Sequence, residues 1–233
     1  MNTPLLIAHR GASKEAPENT LVSIQKALSL GSDLIECDIH CSKDLIPVVI
    51  HDSTIKRTTN AKKQAQVSSL SLKELKMLDA GSWFSSDFKD ERIPTLEEVL
   101  ELTTKLIIEV KISKPNDFLI LNPLLSLLKK HPGSLVGSFS HEFLQEVKKT
   151  DPNICLVGIA DTIPSLKKHL SLGIKIISLK ESLVTEKLVH SLKQSDIILF
   201  TWTVDDKSRF STLASYGVDG IITNNPKLRL CLR

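Results

Sequence analysis

The sequence predicts an α/β fold, namely a TIM-type (β/α)8 barrel with an extra hairpin strand and a small insertion. Short apolar runs alternate with amphipathic stretches along most of its 233 residues, which is typical of a parallel sheet with helical crossovers. Eight of these runs can be parallel strands when the run that ends at His51 is set aside as a hairpin partner. The sequence lacks the glycine-rich phosphate turn of an open, doubly wound sheet, so eight parallel strands favour a closed barrel.

A strand, a polar loop and a helix are predicted near the amino terminus. An apolar run at 5–8 stops at His9-Arg10-Gly11, and an amphipathic segment follows at about 20–30. Asn19 or Thr20 is expected to cap this helix, because such side chains accept hydrogen bonds from the first free N–H groups. Gly31 is expected to end it.

The next apolar strand carries two acidic residues, Glu36 and Asp38. Residues i and i+2 of an extended strand point to the same face, so the two carboxylates project side by side. The seven residues from Ile39 to Leu45 are too few for a helical crossover, but they suit a tight antiparallel hairpin. We therefore expect a reversal near Lys43-Asp44 that returns His51 towards Asp38.

The pattern changes from 53 to about 92, where polar loops surround one short helix opened by a Ser71…Glu74 capping box. We interpret this stretch as an insertion across one end of a single barrel domain that spans residues 1–233. A second capping box, Thr95…Glu98, restarts the helical pattern.

Regular alternation then continues to the end of the chain. Strand-like runs lie at 106–110, 135–139, 154–159, 174–178, 197–203 and 220–223, and helix-like stretches include 143–149, 163–172, 183–192 and 208–216.

Composition limits the classes of function. The net charge of +3 comes from 30 basic and 27 acidic residues, mostly interspersed, which argues against a basic nucleic-acid-binding patch. The amino terminus lacks a basic segment followed by a long apolar one, and no apolar run approaches the roughly 20 residues of a membrane span. We expect a soluble, cytoplasmic protein with a small-molecule ligand. Four sparse cysteines without CxxC spacing predict reduced thiols, most of them buried.

Polar residues recur where the predicted strands end, and in a barrel the carboxyl ends of the strands face the active-site mouth. Ionisable groups in apolar strands cost several kcal/mol of desolvation unless they are paired or bound. Their recurrence therefore predicts a site, which includes His9-Arg10, Glu36 and Asp38, Glu109 and Lys111, Trp202, and Asn224-Asn225.

Three of these residues suit a metal. Glu36, Asp38 and Glu109 supply hard oxygen ligands for one divalent ion, Mg²⁺ or Ca²⁺, and no Cys/His set with zinc spacing competes. Taken alone, Glu36 and Asp38 would be better interpreted as a partly exposed strand face, and only their combination with Glu109, Arg10 and the two histidines favours a site. Glu109 with Lys111 could be a surface ion pair, but the run LIIEV is too apolar for an exposed face.

The remaining charged residues suit phosphate chemistry. Arg10 and Lys111 neutralise phosphate oxygens, while His9 and His51 handle protons because imidazole titrates near neutrality. Trp202 is a candidate wall for substrate and an equally good core residue. The other histidines, His40, His131, His141, His169 and His190, are interpreted as ordinary surface or loop residues.

The ordered motifs resemble the glycerophosphodiester phosphodiesterase family over nearly the whole chain. The matching residues are His9-Arg10-Gly11, Pro17-Glu18-Asn19-Thr20, Glu36 and Asp38, His51-Asp52, the segment from Leu78 through Trp83 to Ile93-Pro94-Thr95, Glu109 and Lys111, Ser138-Phe139, Trp202-Thr203-Val204 and the closing GVDGIITNNP.

The resemblance implies a phospholipase C-like phosphodiesterase barrel that acts in glycerol and lipid metabolism. It also implies metal ligands at Glu36, Asp38 and Glu109, catalytic histidines at His9 and His51, phosphate contacts at Arg10 and Lys111, and Trp202 against the glycerol backbone.

Four residues depart from the family pattern: Ser42 replaces the usual Thr, Asp205 a frequent Asn, and Asn224-Asn225 a common Asp and aromatic residue. None of them removes a catalytic group. The departures bear on substrate preference more than on activity.

The expected reaction is metal-dependent hydrolysis of a glycerophosphodiester to glycerol 3-phosphate and an alcohol, with His9 as base and His51 as acid. The nucleophile is water or a glycerol hydroxyl that first forms a cyclic phosphate. A lipid or lysolipid phosphodiesterase, and a binding protein without catalysis, are the alternatives. The sequence does not determine the metal, the leaving alcohol or the oligomeric state.

Overall fold

The structure of the protein, a computed structural model, describes residues 3–232 and side chains as far as residue 229. Strands and helices alternate as the periodicity predicts. In chain order they are β1 (Leu5–His9), α1 (Leu21–Ser29), β2 (Leu34–Cys41), β3 (Pro47–Val49), α2 (Leu72–Lys76), α3 (Leu96–Leu102), β4 (Leu106–Val110), α4 (Leu121–Lys130), β5 (Leu135–Ser138), α5 (His141–Thr150), β6 (Leu156–Ala160), α6 (Ile163–Ser171), β7 (Ile176–Lys180), α7 (Glu186–Lys193), β8 (Ile198–Trp202), α8 (Lys207–Tyr216) and β9 (Gly220–Thr223).

Eight parallel strands close into a barrel, which confirms the predicted fold class. Within the described residues, the sheet runs in the order β1-β9-β8-β7-β6-β5-β4-β2-β3, and β1 also pairs with β2. Every pairing is parallel except that of β3, which lies antiparallel against β2. A 3₁₀ helix, Pro226–Leu232, follows β9.

The strands divide their side chains between two faces. Ile35, Cys37 and Ile39 of β2 are fully buried against the surrounding helices. The alternate residues, Glu36 and Asp38, point into the barrel because the strand period is two. An apolar layer inside the barrel forms a floor beneath these polar residues and comprises Ile7, Ile107, Val157, Ile159, Phe200 and Ile222.

Helix caps follow the sequence signals. Thr20, rather than Asn19, caps α1 and forms a capping box with Ser23, and Gly31 has the positive φ of +77° expected at a helix end. The predicted capping boxes Ser71…Glu74 and Thr95…Glu98 open α2 and α3.

The predicted hairpin is confirmed. Ile39 of β2 lies opposite Val49 of β3, and the chain reverses through Leu45, whose φ is +61°. The N–H of Ile50 donates to the carbonyl of Asp38 at 3.0 Å. This bond brings His51, the next residue, to the carboxyl end of β2.

Residues 53–92 form an excursion that encloses a small apolar core instead of purely polar loops. Its apolar side chains are spaced irregularly, so the sequence shows no period that would reveal them. The cluster joins the hairpin to the excursion and comprises Val48, Ile50, Ile55, Val67, Leu75, Ala80 and Ile93.

The expectation that most cysteines are buried is wrong for the described side chains. Cys37 is buried, Cys41 is half-buried and Cys155 is exposed, and all three are free thiols. The side chain of Cys231 lies outside the described residues.

No helix between residues 3 and 232 combines the length and apolar character needed to cross a membrane.

Candidate active site

A cavity of about 150 Å³ opens at the carboxyl ends of the barrel strands, above the apolar floor. One half of its wall is charged, because β1, β2 and β4 are neighbours in the sheet. The other half, from β5 to β9, is largely apolar. The charged half is lined by His9, Arg10, Glu36, His51, Glu109 and Lys111, together with Ile107 of β4, and the other half by Phe139, Ile159, Trp202 and Ile222, together with Ser178 of β7.

Three carboxylates meet at the charged wall. Glu36, Asp38 and Glu109 each offer an oxygen, all within 4.8 Å of one another, and their side chains are buried. Oε1 of Glu36 is buried without a hydrogen-bond partner. Burial, together with the neighbouring carboxylates, raises the pKa of Glu36 well above its usual value and that of Glu109 to about 7. An orphaned buried oxygen in a cluster of three carboxylates fits a hard divalent cation.

Two cations partly neutralise this cluster. Nε of Arg10 lies 3.2 Å from Oδ2 of Asp38, and Nζ of Lys111 lies 2.8 Å from Oδ1. Lys111 also pairs with Glu109. Burial alone would raise the pKa of Asp38, but Lys111 and Arg10 hold it well below its usual range. Asp38 is therefore ionised at neutral pH.

In the turn after β1, both the backbone N–H and the side chain of Arg10 contact the carboxylate cluster. Arg10 and Gly11 have φ of +58° and +81°, and the N–H of Arg10 donates to Oε2 of Glu36 at 3.0 Å. A Cβ on Gly11 would lie 2.4 Å from Oγ of Ser23. Only glycine fits both this backbone conformation and this packing.

His9 lies between the carboxylates and the end of β9. Its Nδ1 is 2.7 Å from Oδ1 of Asn224, and its Nε2 is 3.8 Å from Oε2 of Glu36. Burial, reinforced by the charge of Arg10, lowers the pKa of His9 to about 4. The imidazole is neutral at pH 7 and available as a proton acceptor.

His51 is held by a chain of charged groups that ends at Arg10, another residue of the cavity wall. Its Nδ1 lies 2.8 Å from Oδ1 of Asp52, which receives two further hydrogen bonds from Arg57 at 2.7 and 2.8 Å. Arg57 also donates hydrogen bonds to both carboxylate oxygens of Glu18, and Glu18 accepts a further hydrogen bond from Arg10. Sequence reasoning did not identify Arg57, because its position in the excursion carries no strand-end signal.

The apolar wall contains the predicted aromatic residue and one that sequence reasoning missed. The rings of Trp202 and Phe139 meet edge to face with centroids 5.5 Å apart. The Trp202 indole N–H donates to the carbonyl of Ser178 at 3.1 Å. Phe139 directly follows Ser138, the last residue of β5, and this strand-end position could have marked it as a wall residue.

Two histidines expected at the surface are in fact buried. His40 is 9% exposed and its Nε2 lies 3.0 Å from the carbonyl of His51. His169 is 1% exposed, packs over Gly158 and lies 3.1 Å from the carbonyl of Ile159. The expectation failed because the covering residues come from other elements: the hairpin segment at His51 lies over His40, and Gly158 of β6 lies against His169.

The chain matches a model described as the glycerophosphoryl diester phosphodiesterase family at residues 9–228. A glycerophosphodiester phosphodiesterase of Caldanaerobacter subterraneus subsp. tengcongensis is 37% identical to it over 236 residues, covering 96% of this chain and 95% of the relative. Another from Bacillus subtilis is 31% identical over 251 residues, covering 96% of this chain and 84% of the relative.

Solved structures are similar along the whole chain. A phosphodiesterase of Oleispira antarctica, in complex with the product sn-glycerol-3-phosphate, superposes with a TM-score of 0.91 at 30% identity, covering 99% of this chain and 97% of that one. A glycerophosphodiester phosphodiesterase of Thermotoga maritima gives 0.81 at 24% identity and covers both chains fully, at 100% each. The second likeness supports the fold alone.

Proposed function

The chain belongs to the glycerophosphoryl diester phosphodiesterase family, and from that premise we propose that it hydrolyses glycerophosphodiesters with the help of one divalent metal ion. The products are glycerol 3-phosphate and an alcohol. The observation that carries the proposal is the meeting of two histidines with a buried carboxylate cluster at one cavity.

Glu36, Asp38 and Glu109 are the proposed metal ligands, and their oxygens suit Mg²⁺ or Ca²⁺. The bound ion supplies Lewis-acid stabilisation of the charge that develops on the phosphate. Arg10 and Lys111 border the same cavity and contribute positive charge to the remaining phosphate oxygens.

His9 and His51 divide the proton transfers. His9, neutral at pH 7, accepts the proton of the attacking hydroxyl, which belongs to water or to the glycerol itself. His51 donates a proton to the oxygen of the leaving alcohol. Burial lowers the pKa of His51, while Asp38 and Asp52 oppose the shift. A bound phosphodiester adds negative charge beside the ring and favours its protonated form.

Trp202 and Phe139 form the side of the cavity opposite the charges. The carbon backbone of glycerol fits against these rings while its phosphate faces Arg10 and Lys111. This arrangement orients the substrate by polarity, since an apolar wall offers no competing partner for the phosphate.

The test is release of glycerol 3-phosphate from glycerophosphocholine, followed with a coupled enzyme. Chelation should abolish turnover, and Mg²⁺ or Ca²⁺ should restore it. His9→Ala and His51→Ala should each lower kcat by about 10²- to 10⁴-fold, the usual contribution of a general acid or base. The exposed His190 supplies the control, and His190→Ala should keep full activity.

A histidine variant that keeps near-normal, metal-dependent turnover would remove that residue from the mechanism. Metal binding by calorimetry without hydrolysis of any glycerophosphodiester in a small panel would favour a binding protein instead.

A further inference from the structure

Asn224, which contacts His9, is itself held by Asp205 from the end of the neighbouring strand β8. Neither residue lines the cavity. We infer that Asp205 is a positioning residue for the reaction: through Asn224 it holds His9 in the tautomer with its proton on Nδ1 and its lone pair on Nε2. The inference rests on the proposed role of His9 as base.

The tautomer of His9 depends on which end of the Asn224 amide faces it. Nδ1 of His9 lies 2.7 Å from Oδ1 of Asn224. An amide oxygen only accepts hydrogen bonds, so Nδ1 must carry the proton and Nε2 is left as an acceptor. If the amide were turned over, its NH₂ would face Nδ1 and the proton would move to Nε2. His9 could then accept no proton from a nucleophile at Nε2.

Asp205 decides between these two orientations. Nδ2 of Asn224 donates to Oδ2 of Asp205 at 2.7 Å. A carboxylate accepts and cannot donate, so only the NH₂ end of the amide can face it. Ser13, whose hydroxyl lies 2.9 Å from Oδ1 of Asn224, does not discriminate, since a hydroxyl pairs with either end.

Hydrogen bonds fix the position of the Asp205 side chain and keep its carboxyl group ionised. Its Oδ1 accepts from the backbone N–H of Asn224 and from the buried hydroxyl of Thr223, each at 2.9 Å. Burial alone would raise the pKa of Asp205, but the hydrogen bonds from Asn224 and Thr223 lower it. Lys14 lies 3.8 Å from Oδ2. Asp205 therefore presents an ionised acceptor at neutral pH.

The direct test is the tautomer itself. In ¹⁵N spectra of protein labelled at histidine, a protonated and an unprotonated ring nitrogen have widely separated shifts, and His9→Ala identifies the signals of His9. The wild type should show a protonated Nδ1 and an unprotonated Nε2. The reverse pattern would overturn the inference, whether or not the variants of Asp205 and Asn224 fold.

Three variants test the consequence for turnover. Asp205→Asn leaves two amides face to face, so the orientation of Asn224 is no longer enforced, and Asn224→Asp sets two carboxylates against each other. Each of these two variants should lower kcat by about 10-fold or more with little change in KM, a part of the 10²- to 10⁴-fold loss that removal of a general base causes. The exchange Asp205→Asn/Asn224→Asp restores one donor and one acceptor, with a carboxylate facing Nδ1–H, and should recover kcat to within a few-fold.

Asp206→Asn is the matched control, because it makes the same chemical change one residue away. Asp206 caps α8, a role that Asn fills equally well, so kcat should not change. Wild-type kcat and an unchanged His9 spectrum in folded Asp205→Asn would overturn the inference. A wild type that releases no glycerol 3-phosphate defeats the proposed function, whereas the spectrum still decides the tautomer.

Discussion

Asp52 and Arg57 show how much of the site lies behind the groups that face the cavity. Asp52 accepts from Nδ1 of His51, and Arg57 holds Asp52 with two hydrogen bonds. The Arg57 hydrogen bonds are the main cause of the lowered pKa of Asp52. A carboxylate that stays ionised orients the imidazole and favours its protonated form, as an acid requires.

Arg57→Gln should therefore lower kcat by about 10-fold or more, a part of the 10²- to 10⁴-fold that a general acid contributes, while metal binding is retained. The matched control is Arg92→Gln, since Arg92 lies in the same excursion and makes only long contacts of 3.4 Å, with Asp90 and the carbonyl of Leu78. Steady-state kinetics of both variants measure the difference. Equal activity of the two would show that Arg57 does not act through Asp52.

Within the excursion at 53–92, one buried carboxylate, that of Asp79, accepts hydrogen bonds from several residues of the loop. Asp79, 6% exposed, accepts hydrogen bonds from the N–H groups of Gly81, Ser82 and Asp90 at 2.8 to 2.9 Å. The Ser82 hydroxyl adds a fourth at 2.7 Å. Burial alone would raise the pKa of Asp79, but these donors lower it well below its usual range. The carboxylate thus organises a loop that has no regular backbone pairing.

Asp79→Asn should destabilise the protein by about 2 kcal/mol at pH 7, the scale of hydrogen bonds to a charged group. Because the folded pKa lies below the unfolded value of about 3.9, the contribution is complete above about pH 5 and is lost as the pH falls through 4 and below. Urea unfolding of wild type and variant at pH 7 and pH 3 measures this. Asp87→Asn, at an exposed residue, is the control. If the difference in unfolding free energy between wild type and Asp79→Asn did not change with pH, the role assigned to the Asp79 carboxylate would be contradicted.

At the mouth of the barrel, the charged side chains are concentrated on one side of the cavity. Glu36, Asp38 and Glu109 face Arg10 and Lys111 within the mouth, so acidic groups outnumber basic ones there by three to two. A divalent cation that binds the folded cluster, and not the unfolded chain, stabilises the fold by mass action.

Mg²⁺ or Ca²⁺ at about 100 times its Kd should add about 2.7 kcal/mol of stability. For a chain of this length that raises Tm by about 5 to 10 °C, in one transition if barrel and excursion form a single domain as we propose. Differential scanning calorimetry with and without each ion measures the shift. Glu36→Gln should abolish it, whereas Glu142→Gln, at an exposed residue of α5, should retain it; an equal shift in both would place the ion elsewhere.

The alternation of apolar runs was enough to predict eight parallel strands, their closure and the hairpin, because strand period and connection length are local properties. The strand-end positions of His9, Glu36 and Glu109 likewise followed from one-dimensional spacing, and the structure brings them together at the mouth. The helix after β4 and the small core of the excursion carried weaker local signals.

The sequence by itself determined the barrel, the hairpin and the set of charged groups at its mouth, since each follows from residues near one another in the chain. Only the tertiary structure decided their partners: Arg57 on Asp52, and Asp205 on Asn224. Asp205 and Asn224 look like two separate departures from the family pattern, yet their side chains are joined by a hydrogen bond. The sequence alone does not reveal that they are complementary, because a helical crossover separates Asp205 from Asn224 by nearly twenty residues, and only the pairing of β8 with β9 places the ends of these strands side by side.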